Sequence, residues 1–175
     1  MKFVLSFVGV FAIALAVLFC GQKPESVNED YMRIHITANS TSSQDENVKY
    51  MVKDAVTNFL IPILSEAETK SEAEILVSQN LQKIEEIANS VIKSNSLNYS
   101  SKVCIDFEQM PARAYDNLVL DEGVYQSLNI VLGDGKGDNW WCVVFPAVCF
   151  LNSNNFQNLE YISKIWDIIN GVTTN

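Results

Sequence analysis

The chain has 175 residues, 48% apolar and 19% charged, which is enough apolar material for one core of ordinary size and excludes a disordered chain. Its formal charge is -9, from 12 Lys and Arg against 21 Asp and Glu spread along the sequence. That balance argues against nucleic acid, whose phosphates demand clustered cations, and disfavours an anionic lipid surface for the same reason.

The first element is the uncharged run Phe3 to Cys20, preceded by Lys2 and followed by a polar stretch. Eighteen residues of helix at about 1.5 Å each reach close to the thickness of a bilayer core. We therefore expect residues 1–21 to be a signal peptide or membrane anchor. Ala14 and Ala16 lie too deep in the run to mark a cleavage site, and Phe19 and Gly21 match the small-residue requirement poorly. Phe19 before Cys20 also argues against a lipid-attachment signal.

Residues 22–31 read as a linker, and residues 32–151 as the folded domain. Ile34 and Ile36 alternate with Arg33, His35 and Thr37, the period of a half-buried strand. Ser43 and Glu46 have capping-box spacing before a helical stripe of Val48, Met51, Val52, Ala55, Val56, Phe59 and Leu60, which Pro62 is expected to stop near Leu60. A second box, Ser71 to Glu74, predicts a longer helix carrying Ala73, Val77, Leu81, Ile84, Ala88 and Val91.

Strand patterns follow at Val103–Phe107, Leu118–Leu120 and Leu128–Leu132. Strands gathered after helices predict an α+β domain, with a largely antiparallel sheet packed by two or three helices. The segment Gly133-Asp-Gly-Lys-Gly-Asp-Asn139 reads as a hairpin turn using glycine's freedom at positive φ. It matches neither a phosphate loop nor a dinucleotide turn, and Lys136 stands where a calcium loop wants an oxygen ligand. Residues 152–175 read as an extension with amphipathic helical spacing at Leu159, Ile162, Ile165, Trp166 and Ile169.

Cys142 and Cys149 are separated by six residues, which fits neither a redox pair nor a zinc site lacking further ligands. In an exported protein the plain expectation is a disulfide between them, stabilising by about 2.5 kcal/mol in the chain-entropy model. Cys104 is then the odd thiol, either a buried small residue or an alternative partner.

Three separated motifs resemble the stage II sporulation protein R family. They are Arg33-Ile-His-Ile-Thr-Ala-Asn-Ser40 with Asp45 and Val52-Lys-Asp-Ala-Val56, then Met110-Pro-Ala-Arg-Ala-Tyr115, similar to a Phe-Pro-x-Arg-x-Tyr motif. The third runs from Gly133 through Trp140-Trp-Cys142 to Phe145-Pro-Ala-Val-Cys-Phe150. Thr41 stands where the family has Asp, Glu46 where it has Gln, and Met110 where it has Phe. The resemblance implies a protein made in the forespore and exported into the space between the two sporulating compartments. There it would activate a membrane-embedded aspartic protease of the mother cell, which cleaves the precursor of the early mother-cell sigma factor.

On that expectation the chain is a ligand, secreted or tethered through residues 3–20, with no catalytic residue, metal or cofactor of its own. The lone histidine, His35, has no nucleophile motif beside it, and the acid pairs Glu85-Glu86 and Asp121-Glu122 read as solvated surface. Candidate partner-binding residues are Trp140, Trp141, Phe145, Arg33, His35, Asn39 and Arg113. Strand alternation puts Trp140 and Trp141 on opposite faces, one for the core and one for contact. Rival functions are an envelope hydrolase using His35 beside a carboxylate, and a passive spore-envelope-binding domain.

Overall fold

A computed structural model describes residues 27–147, apart from 116 and 117. The apolar run 3–20, Cys149 and the C-terminal extension lie outside the described residues. Among the described residues no helix is long and apolar enough to cross a membrane.

The domain is α+β, as expected. Strand β1 (Val27–Thr37) leads into α1 (Ser43–Leu64), α2 (Lys70–Gln79) and α3 (Leu81–Ser94), and then β2 (Ser101–Met110), β3 (Arg113–Tyr115), β4 (Leu118–Leu120), β5 (Gly123–Leu132) and β6 (Asn139–Phe145) follow. The main sheet has the order β2-β5-β1-β6, and β3 pairs with β4 in a separate ribbon. β1 runs parallel to β5 and antiparallel to β6, while β2 is antiparallel to β5. β1 begins at Val27, inside the segment expected to be linker. Its first turn is irregular where the Asn28 side-chain oxygen accepts from the amides of Asp30 and Tyr31.

Met32, Ile34 and Ile36 of β1, with Leu128, Ile130 and Leu132 of β5, meet Val48, Val52, Val56, Leu60, Ala73, Val77, Ile84, Ala88 and Ile92 of the helices in the main core. The other face of the sheet carries a smaller core of Met110, Leu118, Leu120, Tyr125 and Val143 beneath the β3–β4 ribbon. The helices therefore cover one face, and the ribbon covers part of the other.

Several local expectations are corrected. Ser42, not Ser43, caps α1, accepting from the Asp45 amide at 3.2 Å. α1 runs through Pro62 to Leu64, because Leu60 and Leu64 are both fully buried and a proline so near the helix end sacrifices little of the ladder. The expected single long helix is two. Thr69 and Glu72 form the capping box that opens α2, and Asn80 ends it by donating from its side chain to the Leu76 carbonyl at 2.8 Å.

The glycine segment is not a hairpin. It joins β5 to β6, which are separated by β1, so it must cross the end of β1. Lys136 N–H donates to Asn39 O at 3.0 Å and Gly137 N–H to Ala38 O at 2.9 Å. Gly133 and Gly135 do adopt positive φ, 56° and 62°.

Candidate functional site

The sheet face away from the helices brings together Arg33 and His35 of β1, Trp141 of β6 and Arg113 of β3. Alternation explains the selection. On β1 the even-numbered apolar residues turn to the helices, so Arg33, His35 and Thr37 turn the other way.

Arg33 is fully buried. Its guanidinium donates to the Pro111 carbonyl at 3.2 Å and to the Tyr115 hydroxyl at 3.0 Å, and lies 4.9 Å from the centre of the Tyr125 ring. The Tyr115 hydroxyl in turn donates to the Trp141 carbonyl at 3.3 Å. A buried charge is tolerable only when so partnered. The pairing is incomplete: Arg33 Nε, Ser127 Oγ and Asn129 Oδ1, on adjacent strands of this face, are buried without a hydrogen-bond partner.

Above this support lies a column of rings and cations. The Arg113 guanidinium sits 4.8 Å from the Trp141 ring centre, and Trp141 stacks on His35 with centroids 5.4 Å apart. His35 Nδ1 meets the Glu108 carboxylate at 2.9 Å. Its Nε2 lies 2.8 Å from Asn139 Oδ1 and 3.0 Å from Thr37 Oγ1. Both ring nitrogens are thus engaged, and the side chain is 13% exposed.

The other sequence candidates do not join this surface. Trp140 turns to the helix side, packs on the main core, and has Lys53 Nζ 5.9 Å from its ring centre. Phe145 is buried in the same core. Asn39 belongs to a separate cluster at the end of β1, donating to Asp45 at 2.9 Å and accepting from the Asp134 amide at 2.9 Å. Glu108 and Tyr115 were missed, since their roles depend on strand order that periodicity does not reveal.

Asp45 is the hub of that second cluster, its carboxylate accepting from Asn39, Ser40 and Tyr99 while its amide donates to Ser42 Oγ. Burial pushes its pKa up, but the hydrogen bonds outweigh that and hold the carboxyl below its ordinary value. Tyr99 is displaced upward by burial and by Asp45. Beside them, Lys49 is almost wholly buried, bonded to Glu46 at 2.6 Å and to the Asp138 carbonyl at 3.1 Å, while Glu46 accepts from the Asp138 amide. This cluster clamps the glycine segment to α1 and presents no open donor set. Among the described residues no group of His, Cys, Asp and Glu is arranged to hold a metal ion.

Cys142 is disulfide-bonded and Cys104 is a free, exposed thiol. Cys149, the expected partner of Cys142, lies outside the described residues. Exposure of Cys104 removes one of the two roles considered for it, that of a buried filler.

Residues 28–155 match a family model described as Stage II sporulation protein R. The chain is also 34% identical over 138 residues to the stage II sporulation protein R of Bacillus subtilis (strain 168), covering 79% of this chain and 62% of that protein. No solved structure matches the chain.

Proposed function

Since this chain belongs to the stage II sporulation protein R family and so has a role in sporulation, we propose that it is an exported, non-catalytic ligand. It acts from the space between forespore and mother cell, where it activates a membrane-embedded aspartic protease. That protease then processes the precursor of the early mother-cell sigma factor. Residues 3–20 direct its export, and tether it where they are not removed.

The observation that carries a ligand role is the column Arg113–Trp141–His35. Arg and Trp dominate the energetics of protein interfaces, and here both are held in place by the buried Arg33 and Tyr115 rather than by mobile loop contacts. A surface organised so far ahead of contact lowers the entropic cost of binding.

Full-length chain, oxidised and supplied with the cognate protease in membranes and its precursor substrate, should raise cleavage of the precursor. Unchanged cleavage with correctly folded protein would sink direct activation.

The hydrolase alternative draws on one observation, the 2.9 Å approach of His35 to Glu108. A general base needs a ring nitrogen free to face substrate, whereas His35 Nε2 is held by Asn139 and Thr37 and one ring face is covered by Trp141. Loss of an envelope-hydrolysing activity on His35→Ala would revive that alternative.

A further inference from the structure

Strand β2 is an edge of the main sheet, pairing with β5 on one side. Among the described residues no strand pairs with its other side. Its outward backbone is identifiable, because the Phe107 amide donates to the Asp106 carboxylate at 2.8 Å rather than to β5. The alternation of an antiparallel ladder turns the amides of Val103 and Ile105 outward as well. Edge strands are ordinarily blunted by proline, bulges or inward-pointing charge. β2 instead keeps unbroken register with β5 from Ser101 to Met110, contains no proline and leaves Phe107 exposed. Asn89 takes the outward amide of Ser101 at 2.7 Å, so the open stretch of the edge is centred on Val103 and Ile105.

We propose that this edge binds a second copy of the chain, β2 against β2 in antiparallel register, with Cys104 on the two-fold axis. Charge selects that register. Lys102 and Asp106 are both exposed, and centring the pair on Cys104 places each Lys102 opposite the partner's Asp106, making two opposite-charge cross-strand pairs. On the helix side of the sheet Val103 then lies opposite the partner's Ile105 and exchanges backbone hydrogen bonds with it.

The neighbouring registers are poorer. Centring on Ile105 would place Lys102 opposite the partner's Glu108, whose carboxylate is held by the His35 side chain at 2.9 Å. It would also leave Asp106, held by its neighbouring Phe107 amide, facing the partner's Cys104 with no cation. Centring on Val103 would leave Lys102 facing the partner's Cys104 with no charge partner. Slipping by one residue would carry inward-turned amides to the seam and put the apolar residues on the wrong face.

The chosen register has a chemical signature. Cys104 is the free thiol among the described residues. It would face the partner's Cys104 as a non-hydrogen-bonded pair, at a Cα separation of about 4.5 Å, within disulfide range. An unpaired cysteine in an exported protein is a natural reporter of such a contact.

The test is sedimentation equilibrium of the full chain, together with oxidation by diamide. In that step two Cys104 thiols lose two protons and two electrons to form a disulfide, and the azo bond of diamide gains them to become a hydrazine. Burial, Asp106 and Glu108 raise the pKa of the thiol, so the oxidation is run at mildly alkaline pH.

We expect a reversible monomer–dimer equilibrium and a dimer linked through Cys104 that Cys104→Ser abolishes. Lys102→Asp should weaken association about tenfold through two repulsive pairs, and adding Asp106→Lys should restore it. Ile105→Pro should leave a monomer with native circular dichroism, since the lost amide points away from β5. A monomer at every concentration overturns the proposal, as does a dimer without a Cys104 link or one insensitive to both Lys102→Asp and Ile105→Pro. Occupation of the β2 edge by residues 148–175 or by an extended segment of another protein would appear as the first of these.

Discussion

Arg33 Nη2 donates to the hydroxyl of Tyr115 at 3.0 Å, so a fully buried side chain on a central strand fixes the ribbon that carries Arg113. The column of Arg113, Trp141 and His35, exposed at Arg113 and half-buried beneath it, is therefore built from underneath.

Arg33→Lys keeps the charge but replaces the planar fork with one ammonium that cannot serve Pro111 and Tyr115 together. Charge-assisted bonds of this kind contribute about 1.5–3 kcal/mol each, so chemical denaturation should show a loss of about 2 kcal/mol or more. Tryptophan fluorescence should report a more solvated Trp141. An unaltered unfolding midpoint would mean that the ribbon does not depend on Arg33.

Trp140 and Trp141 should separate folding from signalling. Trp140→Ala truncates a side chain packed on the main core and is expected to cost about 2–4 kcal/mol. Trp141→Ala, whose ring packs on the smaller core, should also lower the thermal transition but leave a folded protein. It should abolish activation in the reconstituted protease assay, which Trp140→Ala should retain while folded. Retained activation by a folded Trp141→Ala protein would remove the column from the interface.

Asp45 sets an acid limit on stability. Its folded pKa lies below its ordinary value, so its contribution is fully present above the unfolded carboxylate pKa of about 3.9. It is lost as pH falls through the lower folded value. Asp45→Asn should be less stable than wild type at neutral pH, and the difference should shrink steadily in denaturation series below about pH 4. Tyr99→Phe, which removes one donor to Asp45, should cost about 1–2 kcal/mol.

Gly137 tests the crossing over β1. A Cβ there would overlap the carbonyl oxygen of Ser40 and come within 2.6 Å of the Ala38 Cβ. Gly137→Ala should destabilise by about 1–3 kcal/mol through overpacking, measured by thermal unfolding. Because Gly137 does not have positive φ, the penalty reports the approach of the two chain segments and not backbone preference.

Peptide mapping of the protein before any diamide treatment should find Cys142 joined to Cys149 and Cys104 alkylated. Cys142→Ser should then cost about 2.5 kcal/mol for so short a loop. A Cys104–Cys142 peptide would refute that pairing, and with it the reporter role given to Cys104.

Much of the fold was legible because the signals were local. Apolar residues at strand and helix spacing located β1, α1, β2, β4 and β5, and the alternation at Trp140-Trp141 correctly placed the two rings on opposite faces. The errors arose where non-local contacts overrode local preference. Pro62 was carried into α1 by the burial of Leu64. The glycines of 133–137 have the local signature of a hairpin, and nothing local reveals that β1 lies between β5 and β6.

By itself the sequence determined the family, the α+β class and which side chains leave each strand together, since motif order and periodicity are properties of neighbours along the chain. Tertiary structure alone decided that Arg33 reaches Tyr115, that Glu108 reaches His35 from β2 across the intervening β5, and that Asn39 belongs to a different cluster from His35. Those pairings join residues 73 or more positions apart, and their distances follow from strand order, which is settled only when the helices and the ribbon bury opposite faces of one sheet.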